Sequence, residues 1–156
     1  MAIPLYGQNA DGDNLQYSAD GKTGSIITWG DADVTIEPGD LAGVKTSVYS
    51  TAAATASRTL YLPDAAKCSG KEIEIYLAVA SDAEQNDIDT AAGGAFVGGV
   101  LSIATATASI IQSNGSNTIL TVNDNIEPGS WVKVWSNGTN WYVTGTILCD
   151  AAPAFS

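Results

Sequence analysis

The sequence predicts an all-β fold: an antiparallel β-sandwich or barrel with short hairpins, preceded by an extended N-terminal arm. Three features carry this expectation. From residue 25 onward, strand-forming runs follow one another about every 8–14 residues. The run Glu72–Val79 alternates strictly, with Ile73, Ile75, Leu77 and Val79 on one face and Glu72, Glu74 and Tyr76 on the other. Asn-Gly and Pro-Gly pairs punctuate the runs, as tight turns between strands demand.

Residues 1–24 read as an arm and 25–156 as one β-rich domain. Pro4 pushes its predecessor toward extended geometry, so Met1–Tyr6 is an apolar, extended stretch, followed by loop composition from Gly7 to Asn14. Either this is a frayed terminus, or Ile3, Pro4, Leu5 and Tyr6 order by docking on a neighbour, since their side chains are costly to leave in water.

Within the domain, Ser25–Trp29, Val34–Glu37 and Val44–Ser50 are short β-rich runs, and Arg58–Leu62 alternates before halting at Pro63-Asp64. Thr51–Ser57, rich in Ala and Thr, is a short helix candidate, and a turn is expected near Ser81–Gln85. Further strands are expected at 96–103, 106–112, 117–122, 130–136 and 140–147. The Gly-rich stretch Gly93–Gly99 reads as a loop or bulged strand; it lacks the Gly-Lys-Ser/Thr ending of a phosphate cradle and leads into no helix. Ile36-Glu37-Pro38-Gly39 and Ile126-Glu127-Pro128-Gly129 both suit a type II turn. Ser113–Asn117 and Ser136–Asn140 repeat an Asn-Gly turn, in spacings too irregular for a solenoid.

The last hairpin resolves into two faces. Val132, Val134, Trp141 and Val143 share one; Trp131, Lys133, Trp135 and Tyr142 share the other. A one-sided sheet needs only one apolar face. So the second face is either part of a sandwich interior or covered by another subunit, and Trp131, Trp135 and Tyr142 are the candidate subunit-interface residues.

Composition narrows the chemistry. The chain of 156 residues carries 17 acidic against 6 basic side chains, a formal charge of −11 with a pI near 4.1, and such a surface repels phosphate, so no nucleic-acid partner is expected. No stretch is apolar and long enough to span a membrane as a helix, and no basic and apolar leader opens the sequence, so neither a membrane partner nor a secretory route is expected. There is no His, which removes the commonest general base and the usual partner of a catalytic nucleophile. Cys68 and Cys149 lie in no C-x-x-C spacing and are either a pair or two reduced core thiols. Asn9, Asp11 and Asp13 alternate as in a calcium loop, but the place of the bidentate Glu holds Asp20. Asp11/Asp13 and Asp31/Asp33 read as solvated turn carboxylates and the run Asp82, Glu84, Asp87 and Asp89 as a charged surface loop, so neither a metal nor a cofactor is expected, and no catalytic residues are assigned.

Four segments carry a resemblance: Leu60–Ala66, Gly70–Ile75, Ile119–Val122 and Ser136–Val143. In this order, over roughly residues 58–147, they resemble β-rich structural domains of tailed bacteriophage virions, found in head decoration and tail-fibre proteins. A compact module behind a short arm is most similar to a head decoration (capsid cement) protein. That resemblance implies a non-enzymatic structural protein, made in the cytoplasm of a bacterial host, that binds the major capsid protein on the capsid exterior, with itself as second partner in a homotrimer. Ile3, Pro4, Leu5 and Tyr6 are then the capsid-contact residues. The alternative is a receptor- or glycan-binding module of a tail fibre or spike.

Overall fold

The computed structural model describes residues 6–8, 14–16, 24–41, 43, 45–80, 86–90, 92–97, 100–104, 109–112, 115–122, 126–149 and 153–156. The fold is all-β, as expected. Its strands are β1 (Tyr6–Gln8), β2 (Asn14–Gln16), β3 (Gly24–Trp29), β4 (Val34–Thr35), β5 (Lys45–Ser50), β6 (Arg58–Tyr61), β7 (Glu72–Leu77), β8 (Asn86–Asp89), β9 (Phe96–Val97), β10 (Val100–Ala104), β11 (Ser109–Gln112), β12 (Ile119–Val122), β13 (Ser130–Ser136), β14 (Trp141–Leu148) and β15 (Ala154–Phe155). β1 and β2 pair with each other, so the predicted arm contains a small antiparallel ribbon rather than a wholly extended chain. The rest form two sheets packed as a sandwich; the barrel alternative is not realised.

The larger sheet runs β11-β10-β14-β13-β7-β5-β3, with β9 also on β14; the smaller runs β15-β12-β8-β6-β4. Both are mixed, which corrects the antiparallel expectation. β3, β5 and β7 are mutually parallel in the large sheet, and β4, β6 and β8 are parallel in the small one. Residues 24–89 therefore step back and forth between the sheets, laying three strands on each in the same direction. The sequence gives this coil no regular period: Gly24 lies beside Lys45, Lys45 beside Glu72, Val34 beside Leu60 and Leu60 beside Ile88. After the coil the chain returns to antiparallel pairing, β13 against β7 and β14 against β13.

Alternation fills the space between the sheets. The large sheet contributes Val48, Ile73, Ile75, Val132, Val134, Trp141, Val143 and Ile147, and the small sheet Leu60, Ile88, Leu120 and Val122, all buried. Each fully buried aliphatic side chain of this size stabilises by about 1.5–3 kcal/mol relative to exposure. Cys68 and Cys149 are buried in this interior and are not joined in a disulfide, and burial raises the Cys68 pKa.

Three local expectations change. Thr51–Ser57 is not helical; it is a largely exposed bend between β5 and β6. The two Pro-Gly turns differ. At Pro128-Gly129 the glycine has φ +100° and Ser130 N donates to Glu127 O at 3.3 Å, as a type II turn requires. At Pro38-Gly39 the chain makes a 3-10 turn instead, because Asp40 Oδ2 accepts from Glu37 N at 2.8 Å and closes a capping box. The fourth residue decides: Ser130 in the later turn is buried, accepting from Leu148 N at 2.9 Å and donating to Glu127 O at 2.9 Å. The expected strand 96–103 is two strands, β9 and β10, and the described part of 106–112 is β11. The expected turn near Ser81–Gln85 lies outside the described residues.

Candidate interaction surface

The hairpin β13–β14 has a four-residue loop, with Ser136 opposite Trp141, Trp135 opposite Tyr142 and Val134 opposite Val143. This pairing separates the faces as the sequence predicts. Val132, Val134, Trp141 and Val143 are buried between the sheets, while Trp131, Lys133, Trp135 and Tyr142 lie on the outer face of the large sheet. The loop is held from within. Ser136 Oγ donates to Ala65 O at 2.7 Å and accepts from Gly138 N at 3.0 Å; Trp141 Nε1 donates to Pro63 O at 3.2 Å; Asn137 Oδ1 accepts from the amides of Thr139 and Asn140 at 2.9 and 2.8 Å.

On the outer face the registers of five strands set three rows. The first holds Tyr142, Trp135, Glu72 and Lys45; the second Thr144, Lys133, Glu74, Ser47 and Ile26; the third Thr146, Trp131, Tyr76, Tyr49 and Thr28. The aromatic rings pair across strands. Trp135 and Tyr142 stack with centroids 4.3 Å apart and planes 9° from parallel, and Tyr49 stacks on Tyr76. Trp135 is 42% exposed, Tyr49 37% and Ile26 74%; these are the exposed large hydrophobic side chains among the described residues.

A charged band runs between the aromatic rows. Lys133 Nζ lies 3.6 Å from Glu72 Oε1, Lys45 is paired with Glu74, and the Tyr76 hydroxyl donates to Glu74. Burial alone pushes Glu74 up, but Lys45 and the Tyr76 hydroxyl outweigh it and hold the carboxyl below its usual range. The same contacts raise Lys45 and Tyr76, in each case through the hydrogen bond with Glu74 first. Two Lys and two Glu cancel, so this face is electroneutral on a chain of charge −11.

Compared with protein-family models, with curated proteins and with solved structures, the chain matches none of them. The surface must be read from its own chemistry.

Of the residues assigned from sequence, Trp131, Trp135 and Tyr142 share this one face. Ile3, Pro4 and Leu5 lie outside the described residues, as do Asp11, Asp13, Asp82 and Glu84, while Tyr6 begins β1. Asp31 and Asp33 lie in the turn between β3 and β4, Asp31 half-buried and Asp33 exposed, and both are hydrogen-bonded there. Asp31 accepts from Thr55 N, Thr55 Oγ1 and Arg58 Nε at 3.0, 2.6 and 2.7 Å, and Asp33 accepts from Thr59 N at 2.9 Å, so the two staple this turn to the 51–57 bend and to the start of β6. Tyr49 and Ile26 were not assigned from sequence. Alternation in β5 around buried Thr46 and Val48 was the available signal for Tyr49, weakened because Thr46 is polar; it is buried against Ser25, the two hydroxyls 2.8 Å apart.

Proposed function

We propose that the chain is a non-enzymatic structural protein of a phage virion, decorating the capsid exterior and stabilising it. The observation that supports this reading best is the outer face itself: a broad sheet surface whose aromatic rings are already stacked and held in register before anything covers it. Such a surface works by fit and area. Its strand-borne side chains lose little further freedom when clamped, which is where much of the cost of association lies. In this reading Trp131, Trp135 and Tyr142 join copies, Ile3, Pro4, Leu5 and Tyr6 contact the major capsid protein, and the excess negative charge keeps free protein soluble. The trimeric state follows from the resemblance to decoration proteins. Deleting residues 2–6 is expected to abolish binding to shells in co-sedimentation while the fold, read by circular dichroism, is retained. Undiminished occupancy on particles would overturn the arm assignment, and a label found only at the tail would overturn the decoration role.

One observation favours a second reading, a glycan-binding module of a tail fibre. Trp135, 42% exposed, is the cross-strand neighbour of Glu72, which sets an apolar ring and a carboxylate in one row. It requires host polysaccharide to quench Trp fluorescence saturably, and Trp135→Ala to remove that response.

A further inference from the structure

We infer that the outer face of the large sheet is the seat of a second copy of this chain, packed face to face about a two-fold axis that runs along the strands between β7 and β13. The inference rests on the proposed role of this face in joining copies, and specifies the partner and its symmetry.

The argument starts from the cross-strand register. Across β13 and β7 the outward residues pair as Trp135 with Glu72, Lys133 with Glu74 and Trp131 with Tyr76. One strand further out, Tyr142 adjoins Trp135 and Lys45 adjoins Glu72. A two-fold axis lying in the interface and parallel to these strands exchanges left for right but leaves each row in place. Each outward side chain of β13 and β7 then meets, in the second copy, the residue that is its own cross-strand neighbour, and β14 comes over β5. Lys133 comes over the Glu74 position, next to Glu72; Trp131 comes over Tyr76; and Tyr142 comes over Lys45, an ammonium against a ring face. Apart from Trp135, which comes over Glu72, these juxtapositions are attractive or apolar, and none sets like charge on like. Moving the axis onto β7 would instead put Glu72 on Glu72 and Glu74 on Glu74, which is repulsive. The face is thus self-complementary about this axis, the property an isologous contact requires.

Charge points to the same occupant. Two chains of charge −11 repel through most of their surface, whereas this face carries two Lys and two Glu in closed pairs and adds no net charge of its own to the approach. The extent is adequate too. Five strands about 4.8 Å apart and three rows of side chains offer a patch on the order of 500 Å² per copy, a large part of the roughly 800 Å² per partner of a standard interface. Aligned sheets pack with strand directions within about 30° of each other, which leaves residues near the axis opposed as described. Trimers held through another surface would meet in pairs through this one.

Distances separate this arrangement from others. With sheets about 10 Å apart, the two copies of Lys133 lie one strand spacing across and about 11 Å between Cα atoms, whereas the two copies of Ile26 lie five spacings across and about 26 Å apart. The full chain is examined by sedimentation over a range of concentrations, together with single variants Lys133→Cys, Ile26→Cys and Trp135→Glu; Cys68 and Cys149 are buried and serve as the unreactive background. A reversible dimer is expected, weakened at least tenfold by Trp135→Glu with unchanged circular dichroism. A bis-maleimide of about 10 Å reach is expected to convert Lys133→Cys to covalent dimer and to leave Ile26→Cys single. Equal cross-linking at both positions, cross-linking at neither, or undiminished association of Trp135→Glu would each overturn the two-fold contact. Binding to shells, measured separately by co-sedimentation, tests the decoration role; loss of shell binding with the Lys133→Cys cross-link intact removes that role and leaves the self-contact standing.

Discussion

Tyr49 and Tyr76 face each other across two parallel strands, their ring centroids 5.1 Å apart and their planes 16° from parallel. The pair exists because β5 and β7 run in the same direction with Tyr49 and Tyr76 in register, so a contact on the surface reports on the coil beneath it. A double-mutant cycle of Tyr49→Ala and Tyr76→Ala should give a coupling of about 0.5–1.5 kcal/mol in urea unfolding. A coupling of zero would mean the two rings do not stack in solution.

Asp31 makes a prediction with a defined pH window. The hydrogen bond from Arg58, followed by those from the Thr55 hydroxyl and amide, holds its carboxyl well below the ordinary value of 3.8. A carboxyl depressed in the folded state contributes stability that is complete above its unfolded pKa and is lost as pH falls toward the folded one. Asp31→Asn should therefore lower the melting temperature at pH 7, and the gap to the parent chain should narrow steadily below about pH 4. Melting curves at pH 7, 4 and 2.5 check this; a gap as wide at pH 2.5 as at pH 7 contradicts it.

Gly94 has φ +92°, and a Cβ there would stand 2.9 Å from both Ala65 Cβ and Thr139 O. Gly94→Ala should cost about 2 kcal/mol or more, combining the left-handed penalty with the clash. Gly39→Ala is the control, since a Cβ at Gly39 meets nothing within 4 Å and its φ lies outside the left-handed region; it should be neutral or slightly stabilising. Denaturant midpoints of the two variants compare them directly.

Trp141 is fully buried and its indole N–H holds the Pro63 carbonyl. Trp141→Phe leaves that carbonyl without this donor and opens space beside it, for an expected loss of about 2–4 kcal/mol in equilibrium unfolding. A loss below about 1 kcal/mol would show that water or a local shift replaces the donor.

The strands themselves were legible because alternation is a local property. Glu72–Leu77 and Ser130–Ser136 bury every second side chain, in the phase that the sequence predicts. Strand direction was not legible. A side-chain period of two is the same in parallel and antiparallel pairs, and of the two Asn-Gly turns only Ser136–Asn140 closes a hairpin, whereas Ser113–Asn117 joins β11 and β12, which lie in different sheets. The difference between the two Pro-Gly turns lay in one residue, Asp40 against Ser130, whose partners are Glu37 N in one case and Leu148 N in the other. The second of these is long-range and invisible to local reading. For the candidate surface, Trp131, Trp135 and Tyr142 could be grouped from one hairpin, but joining Tyr49 and Ile26 to them required knowing that β5 lies beside β7 and β3 beside β5.

The position of β14 sets the order in which the molecule can be completed. This strand lies between β10 and β13 in the large sheet, although it follows both in the chain. Until residue 148 has left the ribosome, β10 and β13 have no bridge, and each presents an unmatched row of amides and carbonyls to other nascent chains. The partly made polypeptide is therefore the vulnerable species, and cells making it at high rates should lose material to aggregation while β14 is still to come.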